Sequence, residues 1–330
     1  MKKKVMVVCH HKYGIPEEVV CFEEWELPEL KSNQVLVEMK TAPINPADIN
    51  VLEGKYAILP PLPAVLGIEG VGVIAQTGNT VFNLEVGQYV IAPTRMGAWC
   101  EAYIADASEL IPLPSDIPLE QAAMLSINPP TAWRMLEDFV PLKPGDWLLQ
   151  NAANSAVGRF VIQIAHHRGL RTINIVRRVE LIPELQAEGA DIVVTDDLPL
   201  SKQIRDLTGG ASAQHGLNAV GGDSAHEIAK SLGNHGTLVT YGAMGRQPLQ
   251  IANGLLIFKD LRFRGFWISA WYKRADAKAV QEMFAQLIPL MTAGKLKCPI
   301  EKTYPLTDAK SALSHASQSH RKGKILFVMN

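Results

Sequence analysis

The sequence predicts an α/β fold in which a doubly wound parallel sheet is inserted into a β-rich unit. Three observations predict it. The stretch from Asp146 to Arg178 reads as strand, tight loop, helix and strand. Helix and strand patterns then alternate with short turns as far as Phe266, the signature of a parallel sheet covered on both faces. Short alternating strands fill Met1 to about Leu125, and one more returns at Lys324 to Val328, so the first unit is interrupted by the second. The expected boundaries are 1–123 with 269–330 for the β-rich unit and 124–268 for the inserted unit.

The elements follow in chain order. Val5 to Cys9 alternates and opens the chain as a strand. Gln34 to Lys40 sets Val35, Val37 and Met39 on one face against Glu38 and Lys40 on the other. Gly70 to Gln76, Gln88 to Ala92 and Cys100 to Ala105 read the same way, separated by Gly, Pro and Asn. Glu120 to Phe139 is helical, with an interruption at Asn128-Pro129-Pro130, because two prolines remove donors and crowd the preceding turn. Trp147 to Leu149 is the first strand of the inserted unit. Its helix carries Val157, Phe160, Val161, Ile164 and Ala165 at the spacing of one buried face, and Gly169 suits a left-handed cap. Strands follow at Thr172 to Val176, Asp191 to Thr195, Gly216 to Val220, Thr237 to Tyr241 and Leu261 to Phe266, with helices between them. A long amphipathic helix, Ala277 to Ala293, leads back to the β-rich unit.

Composition narrows the classes. The chain has 330 residues and a formal net charge of −1, enough length for two cores and no general attraction to nucleic acid or anionic membrane. The apolar run at the start is too short for a signal peptide, and no stretch approaches a transmembrane helix. Cys9, Cys21, Cys100 and Cys298 are scattered without a C-x-x-C pair, which argues against a disulfide framework and a structural zinc site. The pairs His10-His11 and His166-His167 do not match metal-ligand spacing and are expected to be solvated. A soluble protein of a reducing compartment is expected.

The loop between Trp147 to Leu149 and the next helix is the candidate nucleotide site. A helix N-terminus offers free N–H groups and the positive end of the dipole to a pyrophosphate. The G-x-G-x-x-G positions hold Ala153, Ser155 and Gly158, so one glycine survives and the other two are replaced by the next smallest residues. An NAD enzyme would carry Asp or Glu at the end of the second strand. Arg177-Arg178 stands there instead, which suits a 2′-phosphate and points to NADPH. The strand-end positions Asn151 to Ser155, Gly221-Gly222, Tyr241 to Gly245 and Phe266 to Ile268 complete the ligand-facing edge.

The order of these units, with INPADIN (44–50), PAVLGIEGVG (63–72) and the AxxSxxG loop, resembles the medium-chain dehydrogenase/reductase superfamily over essentially the whole chain. The resemblance implies a GroES-like catalytic domain wrapped around a Rossmann NADPH-binding domain. Zinc alcohol dehydrogenases of that group carry Gly-His-Glu and a cysteine ligand. Here Gly67-Ile68-Glu69 and Asn45 stand in those places, so no catalytic zinc is expected and no metal ligand is assigned. INPADINVLEGKY, NPPTAWRML, QNAANSAVG, YGAM, LLIFKDLRFRGFW and the terminal GKIL are closest to the mitochondrial-type 2-enoyl thioester reductases.

By that resemblance Tyr56 is the catalytic tyrosine. The cofactor contacts implied are Asn128, Asn154, Ser155, Ala156, Val157, Arg177, Arg178, Tyr241, Gly242, Ala243, Met244, Phe266, Trp267, Ile268 and Lys324. Ala156 replaces a common glycine, and Pro130 and Trp133 are bulkier than the family string leads one to expect. The implied reaction is NADPH-dependent reduction of a trans-2-enoyl thioester carried on coenzyme A or acyl carrier protein. A tyrosine, with an unperturbed pKa of about 10, is protonated at neutral pH and can donate to the enolate, either protonating carbon or orienting the thioester. A quinone or enone reductase of the same superfamily is the nearest alternative, and a non-catalytic NADPH-binding protein is the next. Phe266, Trp267, Trp271 and Tyr272 read equally as core, dimer face or wall of an acyl pocket. Asp48 and Glu69 are left out of the site as residues that fix loops. A cytoplasmic homodimer is expected, with Leu261 to Phe266 as a candidate pairing edge.

Overall fold

The computed structural model describes residues 3–93, 96–196 and 199–329. The chain divides into two compact units, one of Met1–Ile127 with Ala275–Asn330 and the other of Asn128–Arg274. The mixed α/β organisation with a parallel sheet matches the expected fold class.

The first unit contains the strands β1 (Lys4–His10), β2 (Val20–Glu26), β3 (Gln34–Pro43), β4 (Ala64–Val65), β5 (Val71–Thr77), β6 (Tyr89–Ile91), β7 (Ala102–Asp106) and β8 (Ile111–Leu113). One sheet has the order β2-β1-β4. The register of β1 and β2 is antiparallel, with Cys9 opposite Cys21. The strand β3 is central to the larger sheet. It pairs antiparallel with both β5 and β7, so Val35, Val37 and Met39 are buried as their alternation predicts, and Leu36 is buried too. Trp99 and Phe327 are fully buried and meet edge to face at 4.9 Å, an arrangement that adds about 0.5 to 1.5 kcal/mol beyond the area buried. Gly67 has a φ of +94°, and a Cβ there would lie 2.4 Å from the Trp99 ring, so this turn accepts only glycine.

The second unit holds β9 (Trp147–Gln150), β10 (Arg171–Val176), β11 (Ile192–Thr195), β12 (Ala213–Asn218), β13 (Leu232–Thr240) and β14 (Arg262–Gly265). Their order is β11-β10-β9-β12-β13-β14, and all the pairings are parallel. Renumbered within the unit this is 3-2-1-4-5-6, the doubly wound order whose ligand crevice lies beyond the strand carboxyl ends where the order reverses. The first unit is then completed by β15 (Ile300–Pro305) and β16 (Lys324–Val328), in the larger sheet's order β15-β16-β3-β5-β6-β8.

Three local readings change. The helix expected to break at Asn128-Pro129-Pro130 instead begins there and runs Asn128–Glu137. Prolines in a first turn remove only N–H groups that lack intrahelical partners anyway. The helix Ala156–His167 buries Gly158 through Ala165 without a gap, more than the single face its periodicity predicts. It packs on the sheet and also on the helix Asn128–Glu137. Even Arg159 is buried, and it pays for its desolvation with Glu184 and Glu188. His10 is fully buried, contrary to the expected solvated pair, while His11, His166 and His167 are exposed.

Candidate active site

In the second unit the loop after β9 is built from small and amide side chains. Ser155 caps the helix Ala156–His167 by accepting a hydrogen bond from the Gly158 N–H at 3.1 Å. The N–H groups of Ala156 and Val157 belong to the first turn, where the helix supplies no carbonyl, and both residues are half-exposed. Ala153 is fully buried, and Ala152 adopts a left-handed φ of 48°. Gly158 is the one position of the loop where a side chain is excluded, since a Cβ would lie 2.5 Å from the Ala153 carbonyl oxygen and 2.7 Å from that of Ala152. Close packing of the helix on its preceding loop therefore survives the loss of the other two motif glycines.

Two buried amides lock the neighbouring strand ends. Asn151 Nδ2 donates to Asn218 Oδ1 and to Ser224 Oγ, both at 2.9 Å, and Asn151 Oδ1 accepts from Ala219 N at 2.8 Å. Asn218 Oδ1 also accepts from Val220 N and Gly221 N. These bonds tie the ends of β9 and β12 to the Gly221-Gly222 turn, on the edge where a nucleotide binds in such sheets. From sequence alone the only available signal was an asparagine at the end of each of two apolar strands.

The other positions expected to meet the cofactor in this unit follow the carboxyl ends of strands. Arg177 and Arg178 follow β10; Arg177 is exposed and Arg178 stands 3.6 Å from Glu180. Tyr241 to Met244 follow β13, where Met244 N donates to Ala219 O. Burial pushes the Tyr241 hydroxyl well above the usual phenol range, against a smaller opposing effect of Ser155. Phe266 to Ile268 follow β14, and Phe266 meets Phe139 edge to face at 5.9 Å. Of the aromatic group, Tyr272 is buried and packs on Trp271, which also lies under Arg134 at 4.7 Å. Asn128 is buried at the start of its helix.

The first unit places Tyr56 and Lys324. Tyr56 is half-buried in the loop after the helix Pro46–Leu52 and packs on the core. Gly54, with a φ of +70°, turns the chain there against Tyr13, whose hydroxyl donates to Pro60 O at 2.9 Å. Lys324 is buried and donates to Asn45 Oδ1 at 2.5 Å and to Ile44 O at 3.4 Å. Asn45 Nδ2 in turn donates to Glu69 Oε1 at 2.8 Å, and Glu69 Oε2 accepts from Ile127 N. Asp48 accepts from Asn45 N and Ile68 N, so both carboxylates fix loops. Burial pushes Asp48 and Glu69 up to about 7 each, opposed by the Lys324 charge and these N–H donors, and it pushes Lys324 down. An ammonium held by an amide stands where a zinc alcohol dehydrogenase keeps its ligands, so this donor set does not fit a catalytic zinc.

The chain is similar to known proteins over nearly its whole length. Residues 31–115 match the model of the alcohol dehydrogenase GroES-like domain, and residues 188–326 match the family described as zinc-binding dehydrogenase. The human mitochondrial enoyl-[acyl-carrier-protein] reductase is 41% identical over 332 residues, covering 99% of this chain and 88% of the relative. Among solved structures, one from Bacillus thuringiensis, assigned provisionally as an NADPH:quinone reductase, has a TM-score of 0.93 at 30% identity over 99% of this chain and 100% of the other. The complex of Etr1p with NADP and crotonyl-CoA has a TM-score of 0.89 at 27% identity with the same coverage. Relatives named as mitochondrial recur in Xenopus tropicalis, Rattus norvegicus, Arabidopsis thaliana and Caenorhabditis elegans. They overturn the expectation of a cytoplasmic protein. With two fifths of its residues shared with the human enzyme across almost its full length, the chain belongs to the enoyl-[acyl-carrier-protein] reductase family within the medium-chain dehydrogenases/reductases.

Proposed function

We propose that this chain reduces the C2=C3 double bond of trans-2-enoyl thioesters, carried on coenzyme A or acyl carrier protein, with NADPH as the reductant. The observation that carries the reading is the 41% identity to an enoyl-[acyl-carrier-protein] reductase over 99% of this chain, together with Tyr56 in a string that resembles the family's catalytic loop.

The second unit takes the cofactor. The loop Asn154 to Val157 offers first-turn N–H groups and the helix dipole to the pyrophosphate. Arg177 and Arg178 take the 2′-phosphate. Tyr241, Gly242, Ala243 and Met244, with Phe266, Trp267 and Ile268, line the strand ends along which the dinucleotide lies, and Asn128 is assigned to it as well. In the first unit Lys324, which has three donors, keeps one for the cofactor beyond its bonds to Asn45 and Ile44. When bound, NADPH supplies a hydride to Cβ and leaves as NADP+.

Charge then develops on the thioester oxygen, and Cα must gain a proton. Tyr56 is assigned to that step, as proton donor or as the hydrogen-bond donor that orients the thioester. No metal is needed, because a neutral donor can meet the developing enolate. The second reading, a quinone or enone reductase, draws support from the Bacillus thuringiensis structure and from a Pseudomonas syringae quinone oxidoreductase with a TM-score of 0.87 at 26% identity. Quinone reduction requires no proton at a Cα.

The test compares NADPH oxidation with crotonyl- and hexenoyl-coenzyme A against benzoquinone, for the native chain and Tyr56→Phe. Loss of thioester turnover by about a hundredfold or more in the variant, with NADPH still bound, supports the assignment. Quinone turnover alone, unchanged by the substitution, sinks it. Binding of NADPH without turnover on any acceptor would point to a cofactor-holding protein instead.

A further inference from the structure

The hairpin of β1 and β2 gathers a second set of reactive side chains within the first unit. Its register places Cys9 opposite Cys21 and Val7 opposite Glu23. Residues two apart on a strand share a face, so Cys9 and His11 point to the same side as Cys21 and Glu23. The two Sγ atoms stand 3.2 Å apart, and His11 Nε2 lies 2.9 Å from Glu23 Oε1. One ligand atom from each of the four residues falls within 4.8 Å of every other.

We propose that Cys9, His11, Cys21 and Glu23 form a structural site for one zinc ion. Two thiolates, an imidazole nitrogen and a carboxylate oxygen are a donor set that zinc takes in four-coordinate tetrahedral form. Zinc–ligand bonds of about 2.0 to 2.3 Å set neighbouring ligand atoms about 3.3 to 3.8 Å apart. The widest separation therefore has to close by about 1 Å, and the His11 to Glu23 pair, at 2.9 Å, has to open slightly. Binding releases the Cys9 and Cys21 protons to solvent, while His11 ligates as the neutral ring.

The surroundings fit this role. Cys9 is buried, Cys21 and Glu23 are half-buried and His11 is exposed, so three ligands are held by packing and the fourth closes from the solvent side. Trp25 Nε1 lies 3.4 Å from Glu23 Oε2 and orients the carboxylate. A small cleft lined by Phe22, Asp308, Lys310 and Ser311 reaches Cys21. With four protein ligands and no open position, the ion would clamp the hairpin and take no part in the reduction. The sequence hid this site because the ligand spacing is C-x-H and C-x-E on two strands, and only their register joins the two halves.

The test uses the full chain, stripped with EDTA, kept reduced with a phosphine and titrated with zinc sulfate against a chromophoric chelator. Cobalt(II) serves as a spectroscopic substitute. The expected result is one zinc per chain and a tetrahedral cobalt spectrum with a sulfur-to-cobalt band. Cys21→Ser removes that band and weakens zinc at least a hundredfold. His11→Ala, on the solvent side, and Glu23→Gln, which keeps the side-chain shape, weaken it by about tenfold or more and leave NADPH-dependent turnover unchanged. Absence of stoichiometric uptake by the reduced chain overturns the proposal, as does an octahedral cobalt spectrum or equal affinity in Cys21→Ser and His11→Ala. A Cys9–Cys21 disulfide in air, with no zinc uptake after its reduction, overturns it in favour of a redox pair.

Discussion

Gly158→Ala tests whether the nucleotide loop works through close backbone approach after losing two of its three motif glycines. A methyl group there would lie 2.5 Å from the Ala153 carbonyl oxygen and 2.7 Å from that of Ala152, where ordinary contact begins at 3.4 Å. The loop or the helix must retreat by about 0.9 Å to relieve the nearer clash. Both neighbours are backbone atoms, so no flexible side chain can swing away. Overpacking of this kind costs about 1 to 3 kcal/mol, or about 2 to 4 °C of Tm per kcal/mol for a domain of this size. A shift near 1 Å also takes the first-turn N–H groups out of hydrogen-bond range of a phosphate, and bonds to a charged group contribute about 1.5 to 3 kcal/mol each. NADPH should therefore bind about 10 to 100 times more weakly. Differential scanning fluorimetry and titration of NADPH fluorescence measure the two effects. Gly265→Ala is the control, since its Cβ would meet nothing within 4 Å. If Gly158→Ala keeps its Tm within a degree and its NADPH affinity within about twofold, the close-approach argument is refuted.

Arg177→Ala and Arg178→Ala should each weaken NADPH by about tenfold or more while leaving NADH binding unchanged, because only NADPH carries the 2′-phosphate; equal loss for both cofactors would remove the arginines from that role. His215 is fully buried in β12, with Nε2 2.9 Å from Met135 O, and burial holds it down to about 4. The unfolded chain binds a proton near pH 6.5 that the folded one refuses, so His215 contributes stability that is whole above pH 6.5 and lost as pH falls toward 4. The loss is about 3 kcal/mol, and His215→Gln, which keeps an uncharged donor, should flatten that limb in denaturant titrations; an unaltered acid limb would disprove it. The strand β14 ends the parallel sheet, and the helix before it exposes Ile257 and Phe258, the latter to 82%. We read this edge as a homodimer face, to be checked by light scattering: a dimer that becomes monomeric in Phe258→Asp supports it, and a native monomer excludes it.

The second unit was legible because local chemistry determines most of it. Apolar runs bounded by Gly and Pro became strands, and β10 spans Arg171–Val176 where its pattern predicts Thr172 to Val176. Positions flanking the elements were harder to place. Pro129 and Pro130 suit a helix start as well as a helix break, and periodicity cannot choose between them. The helix Ala156–His167 is covered on two sides by partners far away in sequence, so a pattern that predicts one buried face underestimates its burial. Loop residues fared by type. Gly158 and Ser155 act through their own size and hydroxyl and the arginine pair is marked by its charge, whereas the bond between Asn151 and Asn218 forms only when parallel pairing brings β9 beside β12.

The cluster around Lys324 shows the same limit from the other side. Asn45, Glu69 and Lys324 are separated in the chain, and nothing in their local strings shows that they meet. Their meaning comes from one geometric fact, the pairing of β16 with β3, which brings Lys324 to Ile44 and Asn45. Once there, the ammonium offsets two buried carboxylates, and Asn45 links it to Glu69 through one amide that accepts on one side and donates on the other. Replacing the cysteine and histidine of a metal site by Asn45 and Ile68 therefore did not leave a hole. The loops at 44–48 and 67–69 are tied by hydrogen bonds to Asp48, Glu69 and Lys324.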